Sequence, residues 1–262
     1  MDAPGRDAYG KTAYERPDEL WEAAKGEDGT HEGWYKGAVD YWDKQEASYN
    51  GVLGGFGHVS SFDIADSKDL LKQVFKSQLK EAAAGKRKLT AVDCGAGVGR
   101  VTQELLLHFF DTVDLLEPSR HLLSKAQRSL KLAVAGRNYP EGHEPGEFLC
   151  LGLQEFEPAP GRYDVVWIQW CLLYLTDADA VALFERCKTG LAPDGLIVVK
   201  ENICGEGFVV DPDDHSLTRS NEYMLELFDK AGLEVVANVK QRNFPKELFD
   251  VRQYALRPRG GG

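Results

Sequence analysis

The chain has 262 residues, of which 31 are Lys or Arg and 42 are Asp or Glu, so its formal net charge is −11. This length fits one large α/β domain, and 43% hydrophobic residues can form a sizeable core, which excludes an intrinsically disordered chain. The acidic excess argues against nucleic-acid binding, which depends on a basic surface, and no run of about 18 apolar residues predicts a membrane span.

The N-terminal 30 residues differ in composition from the rest. They combine many charges with Pro and Gly, and we expect a mobile arm over residues 1–30. The segment lacks the apolar stretch of a signal peptide, which predicts a protein of the cytoplasm, the nucleus or both. The five cysteines lie far apart without a CxxC pair, so we expect neither a metal site nor a disulfide framework.

An aromatic-rich segment follows, and after it comes the glycine-rich stretch GVLGGFGHVSSFD. Glycines at this density exclude a regular helix there. We interpret residues 31–66 as a lid at the front of a single domain covering residues 31–262. A helix capped by Asp66 or Ser67 should come next, because apolar residues then recur at helical spacing.

Strands alternate with helices over the remainder of the chain. The runs LTAVDCG, TVDLLEP, EFLCLGL, YDVVWIQW and LIVVKEN predict five strands. This alternation is typical of a parallel sheet covered by helices on both faces. A last helix is expected over residues 217–231. LEVVANV and DVRQYAL then predict two more strands, paired as an antiparallel hairpin at the sheet edge.

The first predicted strand runs into DCGAGVGR, where Asp93 precedes three alternating glycines. Glycines at a strand-to-helix turn let a ligand lie against the backbone at the helix N-terminus. The spacing G-x-G-x-G differs from the dinucleotide fingerprint G-x-G-x-x-G, and Asp93 would repel a pyrophosphate. The pattern favours a cationic or hydroxyl-bearing ligand, with a tight structural turn as the alternative.

Further polar residues end the neighbouring strands. Glu117 ends the second strand, where doubly wound sheets place an acid that binds ribose hydroxyls. A strand-end acid that faces solvent is the alternative. Gln154 follows the third strand and Gln169 ends the fourth. Because ligands of open α/β sheets bind at the carboxyl ends of the strands, we expect these side chains around one ligand.

This combination of acids, glycines and strand-end polar groups resembles class I S-adenosylmethionine-dependent methyltransferases. YWDKQEASYNGVLGGFGHVSS, LGLQEF, YDVVWIQW and VVKEN narrow the resemblance to the α-N-terminal protein methyltransferases, over roughly residues 34–256. The resemblance implies a Rossmann-like, mostly parallel sheet of seven strands with an antiparallel C-terminal edge strand and a helical N-terminal lid. It also implies S-adenosylmethionine as cofactor, S-adenosylhomocysteine as product, and methylation of the free α-amino group of proteins that begin Xaa-Pro-Lys.

The resemblance also implies site residues. Cofactor contacts map to Gly95, Gly97, Arg100, Glu117, Pro118, Ser119, Leu153, Gln154 and Gln169. Substrate contacts map to Tyr41, Trp42, Leu53, Trp170, Tyr174, Asp211 and Ser216. Asp214 is the expected general base, and the amide of Asn202 is expected to assist it.

Two positions depart from the family pattern. Tyr174 stands where the best-known animal members carry a histidine, and a phenol with a pKa of about 10 is a poor base at neutral pH. His215 is an additional residue of the acidic segment VVDPDDHSLTR and is the rival base. The alternative role of Asp213, Asp214 or Ser216 is to cap the helix that follows.

Other functions remain open on the sequence alone. The enzyme could act on a small-molecule amine, or the protein could be a non-catalytic module that retains S-adenosylmethionine. An NAD-dependent oxidoreductase is disfavoured because the third glycine falls one residue early. We expect a monomer that binds neither nucleic acid nor membranes.

Overall fold

The computed structural model describes residues 2–136 and 138–260. The predicted ranges 1–30 and 31–262 also contain Met1, Arg137, Gly261 and Gly262, which lie outside the described residues. The strands are β1 Gly5–Asp7, β2 Ala13–Tyr14, β3 Thr90–Cys94, β4 Thr112–Leu116, β5 Glu144–Leu149, β6 Tyr163–Gln169, β7 Leu191–Cys204, β8 Phe208–Asp211, β9 Ser216–Ser220, β10 Leu233–Lys240 and β11 Asp250–Pro258. The α-helices are α1 Pro17–Ala23, α2 Glu32–Trp42, α3 Tyr49–Val52, α4 Ser60–Val74, α5 Lys76–Ala83, α6 Arg100–Glu104, α7 Arg120–Ala135, α8 Asp177–Gly190 and α9 Asn221–Lys230.

Seven strands in the order β5-β4-β3-β6-β7-β11-β10 form the main part of the sheet. The pairs among β5, β4, β3, β6 and β7 are parallel, whereas β11 is antiparallel to both β7 and β10. This confirms the predicted fold class. The predicted antiparallel edge strand was misplaced, because β11 inserts between β7 and β10 and leaves β10 at the edge.

Helices cover both faces of this part of the sheet, as predicted. On β6, Val166 and Ile168 belong to one hydrophobic cluster and Val165 and Trp167 to the other. Successive side chains of a strand point to opposite faces, so the two clusters lie on opposite sides of the sheet. Trp167 is fully buried in the second of these clusters. No helix within the described residues is both long and apolar enough to cross a membrane.

The sheet continues into a four-stranded extension, β9, β8, β1 and β2, so it has eleven described strands and not seven. Strand β7 has 14 residues, and its last two, Ile203 and Cys204, pair with Arg219 and Ser220 of β9. Strands β8 and β9 pair antiparallel and form a hairpin across residues 208–220. The β8–β9 hairpin thus joins the main part of the sheet through two residue pairs.

The predicted helix over residues 217–231 begins late, at Asn221, because residues 216–220 form strand β9. Ser220 caps the helix, its hydroxyl accepting a hydrogen bond from the backbone N–H of Tyr223 at 3.3 Å. The proposed capping role of Asp213, Asp214 and Ser216 is therefore wrong. The helix expected from Asp66 or Ser67 instead starts at Ser60 and breaks at Phe75 before α5.

The N-terminal segment is folded over residues 2–30, contrary to the expected mobile arm. Strand β1 pairs parallel with β8, and the backbone N–H of Ala8 donates to the carbonyl of Val210 at 2.7 Å. Asp7 holds the turn after β1 by accepting hydrogen bonds from the backbone N–H groups of Tyr9, Lys11 and Thr12. These bonds, together with the burial of Leu20 and Trp21 in α1, anchor the segment on the rest of the protein.

Candidate active site

A cavity of about 390 Å³ opens at the carboxyl ends of β3, β4, β6 and β7. Parts of α2, the segment after α3 and the β8–β9 hairpin complete its wall. All but two of the predicted site residues line it, so residues far apart in the chain meet at one place. They are Tyr41, Trp42, Leu53, Gly95, Gly97, Arg100, Glu117, Pro118, Leu153, Gln154, Gln169, Trp170, Tyr174, Asn202, Asp214 and Ser216.

The glycine turn between β3 and α6 adopts a backbone that other residues resist. Gly95, Gly97 and Gly99 have φ values of 65°, 55° and 79°. A side chain at Gly95 would also lie 2.5 Å from Cβ of Cys171. Glycine is required here by conformation as well as by close packing, and the turn leaves its backbone facing the cavity.

Two buried carboxylates stand beside this turn. Glu117 accepts hydrogen bonds from the backbone N–H groups of Gly97 at 2.9 Å and Ser119 at 2.8 Å. Burial raises the pKa of Glu117 to about 7. Asp93 accepts from the N–H and hydroxyl of Thr102, and burial raises its pKa to about 6. Such acceptors suit a ligand that brings hydroxyl donors and a positive charge, as S-adenosylmethionine does.

A buried charge cluster supports the far wall of the cavity. The carboxylate of Asp63 pairs with Arg100 at 2.7 Å and with Lys200, and none of these side chains is more than slightly exposed. Burial opposes the ionisation of Asp63, but the two cations outweigh it and lower its pKa. The amide of Gln169 donates to Asp63 and accepts from Trp167. Gln169 thus lines the cavity with a side-chain amide that is already hydrogen-bonded to Asp63 and Trp167.

The turn after β6 carries Trp170 and Tyr174. Trp170 has a φ of 53°, a left-handed conformation that costs about 1–3 kcal/mol for a residue with a large side chain and is concentrated at functional sites. Its ring lies near Phe244, with 6.4 Å between centroids. Glu201, adjacent to Asn202 on β7, accepts from the backbone N–H groups of Cys171 and Leu172, both at 2.9 Å.

Asp214 enters the cavity from the β8–β9 hairpin. Its oxygen Oδ1 is buried and has no hydrogen-bond partner among the described residues. Burial and the nearby charge of Asp211 raise the pKa of Asp214, while hydrogen bonding from Ser216 and Tyr174 opposes the rise. A partly buried carboxylate with a free acceptor atom and a raised pKa is suited to receive a proton.

Three residues considered for the site lie outside the cavity lining. Ser119 caps α7 and donates its backbone N–H to Glu117, so it supports a lining residue. Asp211 ends β8 and accepts from the N–H of Asp213 at 2.9 Å. The ring of His215, the rival base, packs against Trp34 with 5.3 Å between ring centroids.

Sequence reasoning missed several lining residues. Thr218 lines the cavity with Ser216, because residues two apart on a strand face the same way, and Asp214 lines it from the preceding turn. Residues 217–220 were interpreted as the start of the following helix, which hid this strand period. Phe244 and Phe249, in the segment between β10 and β11, also line it. Two phenylalanines in a short polar segment were the available signal.

Within residues 2–136 and 138–260, no group of three or more His, Cys, Asp or Glu side chains is placed to hold a metal ion.

The fold and the cavity define a class I methyltransferase that uses S-adenosylmethionine. A magnesium protoporphyrin IX methyltransferase from Synechocystis, solved with bound S-adenosylmethionine, shares this fold at 16% identity with a TM-score of 0.55, covering 94% of this chain and all of that one. More specifically, the model of the AdoMet-dependent proline di-methyltransferases matches residues 30–257. The chain belongs to this family.

Individual relatives agree with this assignment. The chain is 45% identical over 258 residues to the alpha N-terminal protein methyltransferase 1 of Arabidopsis thaliana, covering 98% of this chain and 91% of the relative. It is 40% identical over 223 residues to the N-terminal Xaa-Pro-Lys N-methyltransferase 1-B of Xenopus laevis, covering 85% and 95%. A solved SAM-dependent methyltransferase from Leishmania major is 37% identical, with a TM-score of 0.83 over 98% of this chain and 97% of that chain.

Proposed function

We propose that this enzyme methylates the free α-amino group of proteins that begin Xaa-Pro-Lys, using S-adenosylmethionine. The observation that carries the proposal is the position of Asp214 Oδ1, a buried acceptor without a donor, in the same cavity as Glu117. A substrate amine would supply the missing donor. The names of the relatives from Arabidopsis and Xenopus support the same substrate class.

The residues at the β3 and β4 ends would hold the cofactor. Glu117 and Asp93 offer acceptors to hydroxyl groups, and the guanidinium of Arg100 offers donors to a carboxylate. When bound, the cofactor supplies a methyl group on a positively charged sulfur. The buried carboxylates favour that charge, and the glycine turn allows close approach of the backbone.

The residues of the opposite wall would hold the substrate. An α-amine has a pKa of about 7.7–8.0, so a useful fraction is neutral at physiological pH. Asp214 accepts the proton that the nitrogen loses, and Asn202 orients the first residue of the substrate. Trp170, Trp42 and Tyr41 enclose the proline and the amine, with Leu53 beside them.

We assign the third-position lysine to Asp211. Its carboxylate lies outside the cavity lining yet is close enough to raise the pKa of both Asp214 and Tyr41. It therefore lies at the rim, next to the proposed base. A lysine there would place its charge beside Asp211, and the peptide could continue into solvent.

The test uses purified protein, S-adenosylmethionine and a peptide beginning Ser-Pro-Lys, analysed by mass spectrometry. We expect methyl increments on the α-amine. The matched control is the same peptide with an acetylated N-terminus, which keeps the lysine but removes the acceptor amine. Methylation of the acetylated peptide, or no methylation of the free one with cofactor binding intact, would reject the substrate assignment.

We further propose that the protein acts as a monomer in the cytoplasm, the nucleus or both, without binding nucleic acid or membranes. The formal charge of −11 supports the last two points, because phosphate groups on nucleic acids or lipids would be repelled. Size-exclusion chromatography with light scattering, and fractionation of cells expressing the protein, test the mass and the compartment.

A further inference from the structure

Two indole groups of the lid helix α2 bind the same residue. Nε1 of Trp34 donates to the backbone carbonyl of Tyr174 at 2.8 Å, and Nε1 of Trp42 donates to its hydroxyl, also at 2.8 Å. The two tryptophans are eight residues apart, about two turns of helix. The lid helix is therefore attached to Tyr174 near both of its ends.

The hydrogen bond from Trp42 determines what the Tyr174 hydroxyl can do. An indole N–H only donates, so the phenol oxygen is the acceptor and keeps its own proton to donate elsewhere. Asp214 lines the same cavity, and Tyr174 favours its charged form, so its carboxylate is the acceptor that we assign to this proton. Burial and the charge of Asp214 raise the pKa of Tyr174 well above its usual value. Tyr174 is thus a fixed donor and not the base.

Several groups act on Asp214 from the elements around it. Asp211 on β8 raises its pKa, and Ser216 on β9 lowers it through hydrogen bonding. Tyr41 on α2 carries no charge at physiological pH, and burial and the charge of Asp214 raise its pKa further above the usual value. Tyr174 and Ser216 are therefore the groups that favour the charged form of Asp214 against burial and the neighbouring acid.

We propose that Tyr174 is a positioning residue that couples the closed lid helix α2 to the orientation and ionisation of Asp214. This inference rests on the proposed function for its catalytic consequence, but not for the lid itself. When α2 moves away, Trp42 leaves the phenol oxygen and the hydroxyl is free to turn from Asp214. The base is then oriented for the amine only when the lid is closed.

The test compares Tyr174→Phe and Trp42→Phe with Tyr139→Phe, which removes a phenol hydroxyl outside the cavity lining. We expect kcat of Tyr174→Phe to fall on the order of tenfold, as for loss of one hydrogen bond to a charged group. The acidic limb of its kcat/KM profile should move to higher pH, because Asp214 loses a donor that favours its charged form. Trp42→Phe should shift the limb in the same direction. Tyr139→Phe should leave it in place.

A double-mutant cycle and hydrogen exchange complete the test. If Trp42 and Tyr174 act through one continuous path of hydrogen bonds, the Trp42→Phe/Tyr174→Phe double variant should lose about as much kcat as Tyr174→Phe alone. Amide exchange over residues 32–42 should rise in both single variants and stay unchanged in Tyr139→Phe. Additive losses, an unshifted pH profile, or unchanged exchange in α2 would overturn the proposal.

These readouts separate the inference from the proposed function. If the unmodified enzyme does not methylate the peptide, the function fails, and hydrogen exchange of α2 still decides the attachment to Tyr174. If it methylates the peptide but Tyr174→Phe behaves like the unmodified enzyme, only the coupling fails. Should Tyr174→Phe not fold, Trp42→Phe alone decides through its pH profile.

Discussion

Glu117 accepts a hydrogen bond from the backbone N–H of Gly97, with 2.9 Å between Oε2 and N. The acid that ends β4 therefore holds the glycine turn that follows the neighbouring strand β3. Its second oxygen is held by the N–H of Ser119, so the carboxylate is fixed before any ligand arrives. A fixed acceptor loses little freedom on binding, which favours affinity for the cofactor.

Cofactor affinity should depend on pH through Glu117. Its pKa is raised by burial to about 7, and the ionised form is the better acceptor for hydroxyl groups. We expect the Kd for S-adenosylmethionine to fall by about tenfold between pH 6 and pH 8, as for a single group that must ionise. Isothermal titration across this range measures it.

The linked effect on stability has the opposite sign. A carboxyl whose pKa is higher in the folded than in the unfolded protein stabilises the fold at low pH, and this contribution is lost as pH rises through about 7. The ligand-free protein should lose stability as the pH rises from about 4.5, the ordinary pKa of this carboxyl group, to about 7. Bound cofactor should offset this loss. Glu117→Gln should flatten both dependences, and an unchanged Kd profile in that variant would contradict the assignment.

Replacing Asp214 with Asn should separate catalysis from cofactor binding. The change keeps the shape of the side chain but removes the proton acceptor, so we expect kcat to fall by about 100-fold or more. The Kd for S-adenosylmethionine should stay within about twofold, because the cofactor residues are on other strands. Asp213→Asn is the matched control, removing the same charge from the next, exposed residue. Equal losses of turnover and cofactor affinity in Asp214→Asn would indicate a structural role instead.

The buried charge cluster of Asp63, Arg100 and Lys200 should matter for the stability of the fold. Asp63→Asn would leave Arg100 and Lys200 buried without their counter-ion, and we expect a loss of roughly 3–5 kcal/mol in the free energy of unfolding. Asp69→Asn is the control, because Asp69 forms an exposed ion pair with Arg242 at 2.8 Å and should lose less than about 1 kcal/mol. Urea denaturation of both variants measures the difference, and similar losses would refute a special role for the cluster.

Substitutions at two glycines test whether strand β1 supports the substrate side of the site. Gly207 has a φ of 54°, and a Cβ there would lie 1.7 Å from the carbonyl oxygen of Pro4. Gly207→Ala should therefore displace β1 from β8, loosen the β8–β9 hairpin and raise the KM for peptide. Gly10→Ala shares the left-handed backbone, with a φ of 68°, but meets no atom within 4 Å.

Both glycine variants carry the cost of a left-handed alanine, about 1–2 kcal/mol, so their difference isolates the clash with Pro4. Thermal unfolding and hydrogen exchange over residues 208–220 should show the larger change for Gly207→Ala. Cofactor affinity should be similar in the two. If peptide KM is the same in both, the N-terminal strand has no part in the substrate side of the site.

The sequence predicted the wall proposed for the cofactor better than the wall proposed for the substrate. Asp93 and Glu117 lie at the ends of short apolar strands, close to the glycine turn. This local pattern is typical of the ligand-binding edge of an open α/β sheet. The hairpin with Asp214 gave a weaker signal, because the five residues of β9 run directly into the apolar spacing of α9. Helical periodicity extended too far upstream as a result.

The N-terminal segment could not be predicted for a different reason. Strand β1 is stabilised by pairing with β8, which lies far along the chain, and no pattern within residues 1–30 contains that partner. Composition alone therefore suggested mobility. Likewise, the pairing of Trp34 and Trp42 with Tyr174 joins segments whose proximity is a property of the tertiary fold.

The attachment of the β8–β9 hairpin to β7 through two residue pairs has a consequence for how this scaffold can change. The residues proposed to bind the methyl donor lie at the ends of β3 and β4, whereas the proposed base is on a hairpin that pairs with the end of one strand, β7. We therefore expect substitutions or length changes in residues 205–216 to alter which amine is accepted without disturbing the donor side. The hairpin is thus the part of the protein to redesign when a new methyl acceptor is wanted.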